Sequence, residues 1–244
     1  MLGKLKLKYI QSLGQKKLRD EEGVFIAEGP KVVQELILSG KVVIKQLFAL
    51  PEWINENSAI TANIETTTIS EDELKKISQL STPNEVLAIA EKISNPATIN
   101  VKGTITLVLD TIQDPGNLGT IIRIADWFGV RQVVCNKGSA DVYNPKVVQS
   151  TMGSIARITV MYTDLVDWLA AQKEVRIYAA SLAGQDITNM KKLDEGIIII
   201  GNESKGISEE IMNLANVRVT IPKKGDAESL NAAVATGIIL SHLT

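Results

Sequence analysis

One cysteine, one histidine and an aromatic content of only 4% limit the chemistry open to this chain of 244 residues. Cys135 stands alone, so an intrachain disulfide or a cysteine-based zinc site is excluded. Within Val133-Val134-Cys135 it reads as a small core residue of a reducing compartment. His242, near the end of the chain, reads as a late-helix residue complementing the helix dipole. A Ser-His-Asp triad, a histidine-rich metal centre and an HExxH helix all need further histidines, so no metal is expected. What remains is chemistry run by Arg, Lys, Asp, Glu, Asn and backbone groups.

Long apolar runs are missing as well. Nothing approaches the roughly 18 residues of a membrane span. Met1 to Arg19 carries lysines but no apolar h-region, so no secretory signal is expected and the cytoplasm is the expected location. Two glycine fingerprints, GxGxxG and GxxxxGK[ST], are also absent, which disfavours nucleotide cofactors held through pyrophosphate. The net charge of −2 argues against indiscriminate nucleic-acid binding. Charge distribution says more: Lys4, Lys6, Lys8, Lys16, Lys17 and Arg19 all precede the first acid, Asp20. Alone, such a segment is a solvated helix face; it gains meaning beside a phosphate-rich partner.

An apolar fraction of 45% and a charged fraction of 22% suit a globular protein with ample length for a real core. To about Lys92, helical and strand signals alternate. Leu5 to Leu18 has helical spacing, Val24 to Ala27 is strand-like, and Pro30 opens a helix ending near Gly40. Val42 to Leu50 reads as a strand, Ser70 caps a helix with Glu73 at its third position, and Val86 to Ala90 is another strand. Ile93 to Gly103 reads as a linker. Beyond it, strands are expected at Ile105–Leu109, Val130–Cys135, Ile158–Met161, Val175–Ala180, Ile197–Ile200 and Val217–Ile221, with helices between most of them. Alternating βα units with continuous apolar strands imply an α/β fold whose mostly parallel sheet is covered on both faces. The expected domains are 1–94 and 104–244.

Three polar clusters follow three of these apolar runs. They are Asp114-Pro115-Gly116-Asn117-Leu118-Gly119 with Arg123, Gly201-Asn202-Glu203-Ser204-Lys205-Gly206, and Ile221-Pro222 leading to Ser229-Leu230-Asn231. In open α/β sheets the ligand crevice lies beyond the carboxyl ends of the strands, so the three loops read as one composite site. Each residue also has a plain structural role open to it. Asn117 and Ser229 can cap helices, Glu203 can sit as an acid at a helix entry, and Arg123 can leave its helix on the polar face.

Asn117-Leu118-Gly119-Thr120-Ile121-Ile122-Arg123-Ile124-Ala125-Asp126 resembles the first motif of the SpoU/TrmH ribose methyltransferases of the SPOUT superfamily. Gly201 to Gly206 resembles their second motif. Ile221-Pro222 with Ser229-Leu230-Asn231-Ala232-Ala233-Val234-Ala235 resembles their third. Asn144-Pro145-Lys146 and Ser150 to Gly153 match an intervening segment. More loosely, Phe25 to Gly29 and Leu80 to Pro83 resemble the family's ribosomal-protein-like RNA-binding domain, with Asn84-Glu85 where relatives often carry glycine.

The resemblance implies methyl transfer from S-adenosylmethionine to a ribose 2′-hydroxyl of RNA, most readily ribosomal RNA, by a homodimer. It also implies a deep trefoil knot in the C-terminal domain and a small α/β RNA-binding domain before it. By position, Arg123, Asn117, Glu203, Ser229 and Asn231 would serve catalysis. Gly201, Ile221, Leu230, Ser181 and Leu182 would line the cofactor pocket, Gly201 by allowing close backbone approach. A guanidinium is not deprotonated in proteins, so Arg123 would hold phosphate and polarise the hydroxyl rather than act as a base. The other function class is a noncatalytic RNA-binding or ribosome-assembly factor that retains the fold. Loss of the first 92 residues is expected to spare cofactor binding if the domains fold independently.

Overall fold

The computed structural model describes residues 2–94, 96 and 98–244; Met1 of the basic start and Asn95 of the expected linker lie outside them. The chain divides into two compact units, one of residues 1–94 with 141–157 and one of residues 95–140 with 158–244.

The first unit holds a four-stranded sheet of β1 (Val24–Glu28), β2 (Ile44–Ala49), β3 (Thr66–Thr68) and β4 (Val86–Glu91). Their order is β1-β4-β2-β3, with β4 antiparallel to both neighbours and β3 parallel to β2. The expected first helix is two helices, Lys4–Ser12 and Lys16–Glu22. Gly14 lies in the break, where a Cβ atom would approach Gln79 Oε1 to 2.7 Å. The helix Pro30–Ser39 begins with proline and stops at Gly40, whose φ of +63° suits glycine. Ser70 and Glu73 form the expected capping box on the helix Glu71–Ile77. Ile10, Leu13, Ile26, Phe48, Leu74, Ile77 and Leu87 make the core.

Residues 141–157 belong to this unit although they stand later in the sequence. Tyr143 packs its ring 5.0 Å from that of Phe25, and its hydroxyl exchanges hydrogen bonds with the Ile93 backbone. Burial pushes the Tyr143 hydroxyl pKa up to about 12. Arg157 pairs with Glu35 at 2.7 Å. Arg19 corrects the reading of the basic segment. It is 1% exposed, pairs with Asp141 at 2.6 Å and donates to the Leu13 and Gly14 carbonyls. Lys4, Lys8, Lys16 and Lys17 stay exposed.

The second unit is a six-stranded sheet of β5 (Ile105–Leu109), β6 (Gln132–Asn136), β7 (Thr159–Thr163), β8 (Ile177–Asp186), β9 (Gly196–Ile200) and β10 (Val217–Thr220). The order is β10-β8-β9-β5-β6-β7, and every neighbouring pair is parallel. Central β5 and β9 are buried along their whole length. Leu165, Leu169 and Ile211 pack with Val108, Val134, Ile197 and Ile199 in one core cluster. Successive strand residues point to opposite faces, and Leu107, Leu109 and Ile198 are buried too, so both faces are covered.

β8 outruns its expected end at Ala180 because it leaves the ladder and returns. Ala179 pairs with Arg218 and Gln185 with Val219, so residues 180–184 form an excursion. The strand re-enters just after Gly184, where a Cβ atom would lie 2.5 Å from the Arg218 carbonyl oxygen. Only glycine admits that approach.

Candidate active site

A cleft of about 720 Å³ opens at the carboxyl ends of β9 and β10, beside the excursion of β8. Its walls are the 180–182 excursion, the loop after β9 and the long segment from Val219 to the last helix. Ser181, Leu182, Gly201, Ile221 and Leu230, far apart in sequence, all line it. Ile200, Met212 and Ile239 supply apolar surface, and the exposed Lys205, Lys223 and Lys224 flank it. The backbone N–H groups of Ile221 and Leu230 have no hydrogen-bond partner among the described residues. Such a cleft has the size and mixed lining of a small-molecule site.

Gly201 stands at the cleft for a reason other than ligand approach. A Cβ there would lie 2.3 Å from the Gly206 carbonyl carbon and 2.4 Å from the Ile207 nitrogen. The close approach is therefore by its own loop. Asn202 and Gly206 exchange two backbone hydrogen bonds, at 3.0 and 2.9 Å, and close a tight turn.

Beside the cleft, three of the five catalytic candidates meet. Asn117 donates from Nδ2 to Glu203 Oε1 at 2.7 Å, and its Oδ1 accepts from Asn231 Nδ2 at 2.9 Å. One residue from each polar cluster is thus joined in a single line. The capping roles are assigned differently from the sequence expectation. Asp114 is the N-cap of the helix Pro115–Trp127 and accepts from the Asn117 N–H at 2.8 Å, which leaves the Asn117 side chain free for Glu203. Asn231, not Ser229, caps the helix Ala232–Leu243 by accepting from the Ala233 and Val234 N–H groups. Glu203 sits within the tight turn rather than at a helix entry.

Arg123 and Ser229 are not drawn into this line. Both are exposed, and Arg123 has no hydrogen-bond or ion-pair partner among the described residues. On the same helix face, Thr120 and Ile124 border a shallow groove with Val234, Gly237 and Ile238 of the last helix. Trp127 at the helix end is 84% exposed and Val234 is 51% exposed.

A polar group behind the site lies outside the three sequence motifs' candidate residues. Asp110 and Thr111 directly follow β5, Asn136 ends β6, and Asn202 follows β9 by one residue. Asn136 donates to Asp110 Oδ1 and Thr111 Oγ1 and accepts from the Thr111 N–H and Ser139 Oγ. Asn202 donates to the Thr111 carbonyl at 2.8 Å. A signal existed: polar side chains placed immediately after apolar strands, in the position where α/β sheets build sites. Among the described residues, no group of three His, Cys, Asp or Glu side chains is arranged to hold a metal, and no helix is long and apolar enough to cross a membrane.

Comparison with known proteins matches both units to one kind of molecule. The SpoU rRNA methylase family matches residues 104–241, and an MRM3-like substrate binding domain matches residues 4–88. The chain is 32% identical to the 23S rRNA (guanosine(2553)-2′-O)-methyltransferase RlmP of Bacillus subtilis, over 98% of this chain and 95% of that one. An AdoMet-bound rRNA methyltransferase from Sinorhizobium meliloti superposes with a TM-score of 0.87 at 32% identity, covering 99% of this chain and 95% of that chain. The SpoU methyltransferase AviRb from Streptomyces viridochromogenes, in complex with AdoMet, gives a TM-score of 0.85 at 25% identity, covering 98% and 97%.

Proposed function

The chain belongs to the SpoU rRNA methylase family, and from that premise we infer that it is an S-adenosylmethionine-dependent methyltransferase acting on a ribose 2′-hydroxyl of RNA. The observation that carries this reading is the line Glu203–Asn117–Asn231 at the edge of the cleft, joining all three family motifs. Ribosomal RNA is the substrate class we propose, because residues 4–88 match an MRM3-like substrate binding domain and the Bacillus subtilis and Sinorhizobium meliloti relatives are rRNA methyltransferases by name.

The cleft fits the cofactor. The N–H groups of Ile221 and Leu230, unpartnered among the described residues, suit a purine edge, and the apolar surface of Ile200 and Ile239 suits its rings. Ser181 and Leu182 on the β8 excursion would close the opposite wall. When bound, S-adenosylmethionine supplies an electrophilic methyl group on a sulfonium. This chain's task is then largely alignment of the ribose oxygen with that methyl. Glu203 fixes one end of the Asn117 amide and Asn231 the other, so polar groups near the hydroxyl are preset rather than recruited. Arg123 would grip a phosphate and polarise the hydroxyl, with Ser229 offering a further hydroxyl.

Arg123 lacks a partner among the described residues of its own chain, which supports a homodimer in which it serves a site shared with the second copy. The apolar groove at Ile124, Val234 and Ile238, with Trp127 exposed nearby, is the surface we assign to that contact. The trefoil knot belongs to the same reading, and it would involve the loop after β9 and the segment returning into the last helix. Domains of 1–94 for RNA binding and 104–244 for methyl transfer, and a cytoplasmic location where ribosomal RNA is met, complete it. A noncatalytic assembly factor would have no need for Asn117, Arg123, Glu203, Ser229 and Asn231 together.

Mapping ribose methylation in ribosomal RNA with and without the gene tests the function. One or more 2′-O-methyl marks should vanish on deletion and return in full with the wild-type gene, but only in small part with Glu203→Gln. An unchanged methylation map would overturn the ribosomal substrate.

A further inference from the structure

We propose that Asn202, through the hydrogen-bonded group at Asp110 and Thr111, is a positioning residue that sets Glu203 for methyl transfer. The proposal rests on the methyltransferase reading above and assigns work to residues outside the reacting set. Glu203 has one side-chain partner among the described residues, Asn117. A carboxylate held by a single bond takes its position from the backbone beneath it. That backbone is clamped at both ends to the strand end of β5. At the start of the loop, Asn202 Nδ2 donates to the Thr111 carbonyl at 2.8 Å. At its far side, the Ser208 N–H donates to Asp110 Oδ2 at 2.8 Å. Between them, Asn202 Oδ1 accepts from the Ser204 and Lys205 N–H groups at 2.9 and 3.0 Å, so one side chain both shapes the turn and tethers it.

The anchor itself is held in an uncommon conformation. Thr111 has a φ of +60°, a region that β-branched residues avoid. Such backbone persists where its surroundings over-determine it, and here they do. The Thr111 N–H donates to Asn136 Oδ1, its hydroxyl donates to Asp110 and accepts from Asn136, and its carbonyl accepts from Asn202. Asp110 is 4% exposed with both carboxylate oxygens engaged. A fully satisfied, half-buried network anchored on buried Asp110 is rigid, so the carbonyl that receives Asn202 is fixed in space. The chain of dependence runs from Thr111 to Asn202, to the turn, to Glu203 and so to Asn117.

Asn202→Asp tests this with little change of shape. It replaces the donor facing the Thr111 carbonyl with an oxygen and keeps the acceptor for Ser204 and Lys205. With purified full-length protein, ribosomal RNA and S-adenosylmethionine, kcat should fall about tenfold or more while KM for RNA stays within about threefold. In a Glu203→Gln background the same change should cost less than about twofold more, because both substitutions act on one group. A kcat near wild type, or a loss that multiplies in full onto Glu203→Gln, would overturn the proposal. Thermal unfolding and cofactor binding establish that the variant is folded. Should Asn202→Asp not fold, Asn202→Ser carries the same expectation, and failure of both to fold would make Asn202 a folding residue and overturn the assignment. No transfer by the unaltered protein would instead overturn the enzyme reading.

Discussion

Asn117 holds its place because a carboxamide presents a donor and an acceptor at once. Its donor meets Glu203 and its acceptor meets Asn231, an orientation that only one flip of the amide satisfies. Asn117→Asp keeps the shape but sets an oxygen against the Glu203 carboxylate at the 2.7 Å separation observed. Loss of a hydrogen bond to a charged group, with repulsion added, should lower methyl transfer by roughly one to two orders of magnitude. Thermal unfolding should change little, since Asp114 and not Asn117 caps the helix. A variant that transfers methyl at the wild-type rate would remove Asn117 from the site. Arg19 shows the converse case. Its sequence neighbours suggested a surface cation, but a buried guanidinium paired with Asp141 is part of the fold, so charge-neutralising tests of RNA binding belong on Lys4, Lys8, Lys16 and Lys17.

At the scale of elements, the tight turn after β9 is where backbone sterics matter most. Gly201→Ala places a Cβ 2.3 Å from the Gly206 carbonyl carbon, so the turn must open. Gly225, also lining the cleft, has open space around its missing Cβ. Calorimetry with S-adenosylmethionine should show weakened binding for Gly201→Ala and near wild-type binding for Gly225→Ala. Equal affinities would contradict the loop's part in the cleft. Most elements were legible in the sequence because apolar strands, the Pro30–Gly40 helix and the Ser70–Glu73 box are signals carried by local residues. β5 begins and ends where its apolar run does. The β8 excursion was not legible, since Gly184 gains its meaning only from Arg218 on the neighbouring strand. For the same reason the part played by Asn202 was not legible; its tether to Thr111 spans 91 positions in sequence. The family motifs pointed to Asn117, Glu203 and Asn231, which the fold brings into hydrogen-bond contact, while the roles of Asp114 and Asn231 as caps needed the geometry.

For the whole molecule, the telling feature is that residues 141–157 build the first unit while β6 and β7 on either side of them build the second. Within the first unit, Val147, Val148 and Ile155 are at most 2% exposed. Each such side chain is worth about 1.5–3 kcal/mol when fully buried. A fragment lacking residues 1–92 would leave this segment without its β1 and helix partners. It should therefore unfold at lower temperature than the full chain and bind a hydrophobic dye, rather than behave as an intact methyltransferase domain. A fragment as stable as the full chain would contradict this. The most direct test of methyl transfer itself uses the full-length protein, ribosomal RNA and S-adenosylmethionine labelled in its methyl group, followed by digestion to nucleosides. The expected result is label in a 2′-O-methylnucleoside, strongly reduced but still measurable with Glu203→Gln; label on a base, or bound cofactor with no label in RNA, would contradict it.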